Sequence, residues 1–337
     1  MSCSSTRFCV RAASRSLHVP RQEGGGAASK GTEATCAIRR GSRKERRMQY
    51  KTTPGGHPAP ASTLYVTDLD GTLLHNDQRI GAAGEAALNN LLAQGMLFTY
   101  ATARSFTSAS RVTQGTRFVL PVITYSGAML VDPADGRVLD ACVLAREQTD
   151  ALREAVEAAG LCPLVYAFVE GAERVSWLRG HEGPGVANYL RTRSGDKRLR
   201  PAEDCAALFA GDVFYLTFIG TQAEMRAAQR CVTGIAGTAN NLQEDTYTQD
   251  EFWMEAFRQD ATKAHAALKV KRRVGAERLV CFGDNLNDLP MFRAADACYA
   301  VANAAAPLRE IASGIIAANE EDGVPACLRA FWAETRG

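Results

Sequence analysis

The sequence lacks the features that mark several classes of protein. No run reaches the roughly 18 consecutive apolar residues of a membrane-spanning helix, so we expect no membrane partner. The five histidines are scattered and no two cysteines form a Cys-x-x-Cys pair, so a zinc site is not indicated. A net charge of only +2 gives no reason to expect a nucleic-acid partner.

Disulfide pairing is also not indicated, although the chain has ten cysteines. Several lie in apolar runs, such as Cys281 within Leu279–Phe282 and Cys298 beside Tyr299. Disulfide frameworks are typical of small secreted chains, whereas isolated cysteines in apolar runs behave as small buried hydrophobic residues. We therefore expect reduced thiols and a cytoplasmic protein.

The first 62 residues are rich in Ser, Arg, Gly and Pro and have little apolar periodicity, which predicts a disordered head. Residues 1–47 contain eleven Lys/Arg against three Asp/Glu, and the remainder contains 28 against 34. One interpretation is an organellar leader. We favour the other, in which translation begins at Met48 and residues 1–47 are an over-long gene prediction.

Two blocks of alternating strands and helices predict a parallel α/β sheet. The first block begins at Leu64 and includes a predicted strand at Val119–Tyr125. The second begins at Thr262 and includes a predicted helix at Leu286–Ala294, and a segment of different rhythm separates the two blocks. We expect a core domain formed by residues 63–140 and 250–337, interrupted by an α+β module at 141–249. A chain of 337 residues has room for two such domains.

The sharpest motif, Asp68-Leu69-Asp70-Gly71-Thr72, directly follows the first predicted strand. Side chains alternate along a strand, so Asp68 and Asp70 share a face at the sheet edge where ligands bind. Two carboxylates there repel each other unless a cation compensates, and Mg²⁺ prefers such oxygen ligands. Gly71 permits a tight turn. The alternative is a plain acidic turn.

Three further elements follow predicted strands or begin a helix. Thr102 offers a hydroxyl for phosphate after the second strand, or simply caps a helix. Lys263 lies at a helix N-terminus, where an ammonium favours anions, or it faces solvent. Asp284, Asn287 and Asp288 follow a later strand: Asp284 could share a metal with Asp68, and Asp288 could pair with Lys263. An Asn/Asp-rich turn is the alternative for this last cluster.

The order and spacing of these elements resemble the haloacid dehalogenase superfamily, in particular its Cof-like sugar-phosphatase branch. The resemblance covers about residues 63–333 and is carried mainly by DLDGTLL and GDNLNDLPMF. Two positions depart from the family pattern: Ala103 stands where glycine is common, and Ser126 precedes Gly127 where asparagine is common. Both departures could alter the substrate entrance.

The resemblance implies a doubly wound, Rossmann-like parallel sheet with an inserted α+β cap. It implies a phosphatase that acts on small phosphorylated metabolites, with sugar phosphates foremost. Asp68 would be the nucleophile and form an aspartyl-phosphate, and Asp70 would be the acid and base. Mg²⁺ would be held by Asp68, the backbone carbonyl of Asp70 and Asp284. Thr102 and Lys263 would bind phosphate, supported by Gly71, Asn287 and Asp288.

Several alternatives stay open at this point. A phosphomutase of the same superfamily would return the phosphoryl group to its substrate, and a non-catalytic sensor would bind a phosphometabolite without turnover. The substrate depends on cap residues that the pattern does not place around a pocket. Aromatic and charged candidates for the inner face of the cap, some of which can equally be core, are Trp177, Arg179, His181 and Tyr189. The oligomeric state is open.

Overall fold

The computed structural model describes residues 62–245 and 247–334. The expectations for residues 1–61, including the basic head and the start at Met48, lie outside the described residues.

The first block alternates strands with helices and then ends in a small antiparallel sheet. Helix α1 (Ala82–Ala93) stops just before Gly95, and α2 (Phe106–Val112) begins after Ser105, whose hydroxyl accepts the backbone N–H of Ser108. The third strand is shorter than the predicted Val119–Tyr125, because Pro121 precedes it and a left-handed turn follows it. The elements are β1 (Thr63–Thr67), α1 (Ala82–Ala93), β2 (Leu97–Tyr100), α2 (Phe106–Val112), β3 (Val122–Thr124), β4 (Met129–Val131) and β5 (Val138–Ala141).

The middle of the chain contains longer strands and three amphipathic helices. The apolar residues of these helices are buried, as in Leu152 and Val156 or Met225 and Ala228. The elements are α3 (Arg146–Ala158), β6 (Leu164–Val169), β7 (Ala172–Leu178), α4 (Pro184–Thr192), β8 (Leu199–Ala202), α5 (Cys205–Leu208), β9 (Asp212–Gly220), α6 (Gln222–Val232), β10 (Thr238–Glu244) and β11 (Phe252–Arg258).

The last block returns to short strands and helices. The predicted helix Leu286–Ala294 is divided into a 3-10 turn at Leu286–Asp288 and an α-helix, and Pro290 lies in the first turn of that helix. The elements are α7 (Lys263–Val274), β12 (Arg278–Gly283), α8 (Leu289–Ala294), β13 (Ala297–Val301), α9 (Ala306–Ile311), β14 (Gly314–Ile316) and α10 (Gly323–Glu334).

Five strands form one parallel sheet in the order β14-β13-β12-β1-β2, which confirms the predicted parallel α/β core. Strand β1 lies between β12 and β2, so the first strand of the first block pairs with the first strand of the last block. A single bridge between Ala101 and Ile123 connects this sheet to β3. The carboxyl ends of β1, β2 and β12 therefore lie side by side at one edge.

The second sheet has six strands in the order β10-β11-β9-β6-β7-β8 and is antiparallel except for the β7–β8 pair. It includes β11, which lies beyond residue 249, the predicted end of the inserted module. We propose that the module at 141–249 extends through Arg258 and forms the cap domain. No helix in the described ranges is long and apolar enough to span a bilayer.

Candidate active site

The adjacent ends of β1 and β12 bring the predicted acidic residues together. Asp68 continues the ladder beyond β1, because its backbone N–H donates to the carbonyl of Phe282 at 3.0 Å. Asp68 is 5% exposed, and its Oδ1 accepts the backbone N–H of Leu69 at 2.7 Å. The pairing of two strands from opposite ends of the chain thus places Asp68 beside the loop that carries Asp284.

Lys263 lies between two of these carboxylates and is almost completely buried. Its Nζ is 2.7 Å from Asp68 Oδ2 and 2.8 Å from Asp288 Oδ1. Burial alone would lower the pKa of Lys263, but Asp288 and Asp68 together raise it above its ordinary value. Lys263 is therefore a fixed cation inside the site, and the solvent-facing alternative is wrong.

The loop after β12 is held by hydrogen bonds to its own backbone and to the first motif. Asp288 Oδ2 accepts the backbone N–H groups of Asp284 and Asn285 at 3.1 and 3.3 Å. Thr72 Oγ1 donates to Asp284 Oδ1 at 2.8 Å. A Cβ on Gly71, where φ is +73°, would lie 2.4 Å from Asp284 Oδ2. Only glycine therefore allows the two motifs to approach this closely.

Negative charge exceeds positive charge in this cluster. Burial raises the pKa of the Asp68 carboxyl, and Lys263 opposes that shift. Burial, reinforced by Asp288, raises the pKa of Asp284 to about 7. Carboxylate oxygens of Asp68, Asp284 and Asp288 lie within 4.8 Å of one another, with Lys263 as the cation that contacts two of them.

This donor set fits a divalent cation that prefers oxygen ligands. The carboxylate cluster lacks enough positive charge, and the buried Oδ1 of Asn287 has no hydrogen-bond partner among the described residues. The cluster includes the side chain of Asp288, but both oxygens of that carboxylate are engaged, one by Lys263 and the other by backbone N–H groups. Asp288 therefore orients the loop and Lys263.

Asp70 lies apart from the carboxylate cluster and contacts two residues that were not predicted to have a role. Arg104 donates from Nε and Nη2 to both oxygens of Asp70, with distances from 2.6 to 3.1 Å. Tyr247, from the loop between β10 and β11, donates its hydroxyl to Asp70 Oδ1 at 2.6 Å. The Asp70 carboxylate is thus held between the core and the inserted module, 177 positions along the chain from Tyr247.

Thr102 is buried at the end of β2, and its hydroxyl accepts the backbone N–H of Arg104 at 3.1 Å. Its carbonyl accepts the N–H of Ser126 at 2.9 Å. The helix-cap alternative for Thr102 is wrong, because Ser105 caps α2.

Residues Tyr125, Ser126 and Gly127 have positive φ values of 50°, 55° and 108°, and we call these three residues the elbow. The hydroxyl of Tyr215, in β9, donates to Ser126 at 3.2 Å. A Cβ on Gly127 would lie 2.2 Å from the carbonyl of Thr262, directly before Lys263. The elbow therefore connects the phosphate-binding candidates to the six-stranded sheet.

Two cavities share Asp70, Ala103 and Gln243 in their walls. The smaller, of about 40 Å³, is bordered by Asp68, Asp284 and Asn287 as well. That is room for about three water molecules, or for a phosphoryl group. The larger, of about 430 Å³, extends between α2 and the six-stranded sheet, within the range of small-molecule sites.

Of the four cap residues that the sequence suggested for the inner face, one lines the larger cavity. Tyr189 lines it, whereas Trp177 bonds Glu182 outside it and Arg179 pairs with Glu203. His181 is exposed and also lies outside the cavity. Arg104 could have been noticed from its position two residues after Thr102. No sequence pattern indicated a role for Tyr247, because only the folded β10–β11 loop brings it to Asp70.

The chain belongs to the haloacid dehalogenase-like hydrolases, because that family's model matches residues 65–328. The same fold occurs in a haloacid dehalogenase-like hydrolase from Bacteroides thetaiotaomicron, with a TM-score of 0.64, 22% identity and coverage of 80% of this chain and 99% of that one. A subclass IIB sugar phosphatase has a TM-score of 0.60, with 20% identity and coverage of 80% and 98%.

Among curated proteins, the chain is similar to the 5-amino-6-(5-phospho-D-ribitylamino)uracil phosphatase YitU of Bacillus subtilis (strain 168). The two are 24% identical over 283 residues, which are 80% of this chain and 97% of that protein. The chain also matches an HMP-PP phosphatase from Yersinia enterocolitica with 38% identity over 84 residues. This shorter match covers 25% of this chain and 30% of that protein.

Proposed function

We propose that this protein is a magnesium-dependent phosphatase that hydrolyses small phosphorylated metabolites through an aspartyl-phosphate on Asp68. The observation that carries the proposal is the small cavity, in which a nucleophile candidate, a second aspartate and a cation-binding cluster border one phosphoryl-sized space. The larger cavity beside it has room for the rest of the substrate.

In the first step, a carboxylate oxygen of Asp68 attacks phosphorus and the bond to the substrate oxygen breaks. Lys263 contacts Asp68 from the buried side and would balance negative charge as the phosphoryl group arrives. The hydroxyl of Thr102 would donate to a phosphoryl oxygen. Catalysis of this kind depends mainly on positioning and charge neutralisation, which a rigid buried cluster provides.

Asp70 would give a proton to the departing alkoxide. It would then take a proton from the water that attacks phosphorus, which releases phosphate and restores Asp68. Arg104 and Tyr247 fix the Asp70 carboxylate at the junction of the two cavities, which is where a leaving oxygen must lie. Among the described residues, Asp70 Oδ2 accepts only from Arg104 Nε, so this oxygen keeps a lone pair that can take up and release the proton.

Mg²⁺ would be held by the carboxylates of Asp68 and Asp284 and by the backbone carbonyl of Asp70. The fit rests on the excess of carboxylates over cations in the cluster. Bound there, the ion would neutralise those carboxylates and polarise phosphoryl oxygens. Asp288 would keep Lys263 and the Asp284 loop in place, and Asn287 Oδ1, for which the described residues offer no hydrogen-bond partner, would support the metal site.

The decisive experiment measures free phosphate released by the purified protein with Mg²⁺. The panel contains p-nitrophenyl phosphate, sugar phosphates and 5-amino-6-(5-phospho-D-ribitylamino)uracil, the compound in the name of the Bacillus subtilis relative. We expect hydrolysis of at least one compound and loss of at least a thousandfold in kcat for Asp68→Asn, because no nucleophile remains.

Circular dichroism and thermal unfolding of Asp68→Asn provide the control for folding, since Asp68 also pairs with Lys263. Turnover retained in that variant would refute the nucleophile assignment. Isomerised substrate without free phosphate would instead indicate the phosphomutase. Binding without turnover across the whole panel would indicate a sensor.

A further inference from the structure

The larger cavity has an unusual aromatic lining. Six aromatic side chains border it: Tyr125, Tyr166, Tyr189, Tyr215, Tyr247 and Trp253. The chain has only nine Tyr and three Trp, so half of them lie around this one space. Thirteen Phe are also present, yet none in the described part of the chain lines the cavity. The aromatic part of the lining thus combines flat apolar faces with polar tips.

The rings are packed against one another and are therefore held rigidly. Tyr166 meets Tyr125 edge to face with ring centroids 5.3 Å apart, and Tyr189 lies 6.1 Å from Trp253. The hydroxyls of Tyr166 and Tyr189 are 3.3 Å apart. Rings that are already ordered lose little freedom when a ligand stacks on them, so such a surface favours binding of a flat partner.

Many charged groups of the same cavity are already engaged, which disfavours a ligand recognised only through hydroxyls. Arg198 is paired with Asp196 at 2.7 Å. Asp245 accepts two backbone N–H groups of its own loop, and Glu251 accepts the indole N–H of Trp253. A sugar would have to replace these bonds, whereas a ring that stacks on aromatic faces leaves them intact.

The cavity still offers a small set of polar groups that suit the edge of a heterocycle. Gln243, Thr217 and Glu255 line it, and Gln243 also borders the phosphoryl-sized cavity. Burial raises the pKa of the Glu255 carboxyl, and its Oε2 already accepts from Asn241 at 3.5 Å. The amide of Gln243 offers both a donor and an acceptor to the edge of a nitrogen-containing ring.

We propose that the substrate of this site is a phosphate monoester whose other end is a flat, nitrogen-containing aromatic ring, which stacks on the ring of Trp253. The inference rests on the proposed phosphatase function and narrows it to one substrate class. It departs from the sugar phosphates that the resemblance implied.

The test compares phosphate esters that differ by the ring. Uridine 5′-monophosphate and ribose 5-phosphate share a phosphorylated sugar, and pyridoxal 5′-phosphate provides a second ring. With the full-length protein and Mg²⁺, we expect kcat/KM for the better ring-bearing ester to exceed that for ribose 5-phosphate by about tenfold or more, the scale of one good stacking contact.

A variant pair assigns that preference to the cavity. Trp253→Leu should bring the ratio of the two kcat/KM values to about one, mainly by raising KM for the ring-bearing ester. Trp177→Leu is the matched control, because Trp177 lies in the same sheet but outside the cavity. It should leave the ratio unchanged.

Calorimetric binding of the same esters to Asp68→Asn separates the two proposals. If no ester is hydrolysed by the wild type but ring-bearing esters still bind more tightly, the phosphatase proposal fails and the ring proposal stands. Equal binding and equal hydrolysis of ribose 5-phosphate would overturn the ring proposal while the phosphatase proposal stands. A ratio that Trp253→Leu leaves unchanged would also overturn it.

Discussion

At the scale of single residues, burial has opposite outcomes for the charge states of Lys263 and Glu255. Lys263 stays charged because it touches Asp68 and Asp288, so its burial is compensated. Glu255 is equally buried, at 3% exposed, but its hydrogen-bonding neighbours Tyr215 and Asn241 are neutral, and the charge of Lys263 only partly offsets the effect of burial. Its pKa is raised by burial, and the neutral form is favoured.

Glu255 therefore predicts a pH-dependent stability that a glutamine would remove. Because its folded pKa is raised, the folded protein keeps a proton that the unfolded chain loses above about pH 4.3. This residue thus lowers the free energy of unfolding as pH rises from the unfolded pKa towards the raised folded pKa. Glu255→Gln cannot ionise, so its free energy of unfolding relative to that of the wild type should rise between about pH 4.5 and 7.5.

Urea unfolding of both proteins at the two pH values measures this change. The relevant quantity is the difference between variant and wild type, because other groups contribute equally to both. A difference that does not change with pH would mean that Glu255 ionises alike in the folded and unfolded states.

The residues that could be predicted from the sequence are those next to strand ends. Asp68, Asp70, Thr102 and Asp284 each follow a short apolar run, and the parallel sheet brings those ends to one edge. Tyr247 could not be predicted, because a loop of the inserted module brings its hydroxyl to Asp70 from 177 positions away. Local patterns contain no information about such a contact.

At the scale of elements, the elbow is the feature that the sequence did not reveal. A strand over Val119–Tyr125 was predicted, since apolar residues there fit a strand. The strand ends at Thr124 because three successive residues adopt positive φ values, a conformation that residue types such as Tyr125 rarely show. The carbonyls of Thr102 and Arg104 accept N–H groups from this turn and support it.

The close approach at the elbow predicts that Gly127→Ala damages both folding and catalysis. The added Cβ would lie 2.2 Å from the Thr262 carbonyl and 2.7 Å from the backbone nitrogen of Lys263. We expect a loss of about 2–4 kcal/mol in the free energy of unfolding, from overpacking and backbone strain. We expect kcat to fall by about tenfold or more, because Lys263 is displaced.

Gly95→Ala is the matched control for this prediction. Gly95 has a φ of +91°, but no atom lies within 4 Å of the position of its added Cβ. It should lose only about 1–2 kcal/mol from the left-handed backbone and should keep its kcat. Equal behaviour of the two variants in urea unfolding and turnover would show that backbone conformation, and not contact with α7, explains the effect.

At the scale of the whole molecule, the acidic cluster predicts that metal removal lowers stability. Mg²⁺ at about 100 times its Kd should stabilise the folded protein by about 2.7 kcal/mol relative to EDTA, or on the order of 5 °C in Tm. Asp284→Asn removes one of the three clustered carboxylates and retains an oxygen to accept from Thr72.

That variant should melt above wild type in EDTA, because repulsion within the cluster is relieved, and should show little response to Mg²⁺. Differential scanning calorimetry with and without the ion measures both effects, and Ca²⁺ tests for ion selectivity. A full Mg²⁺ response in Asp284→Asn would exclude Asp284 as a ligand.

The pairing of β1 with β12 also has a consequence during synthesis of the chain on the ribosome. The partners Thr63 and Arg278 are separated by about 215 positions, and ribosomes add roughly 5–20 residues per second. Strand β1 is therefore synthesised about 10–40 s before β12 exists to cover one of its edges. During that interval the nascent chain contains an apolar central strand that lacks its neighbour β12. A chaperone that shields strand edges would therefore be needed most while the inserted module is being translated.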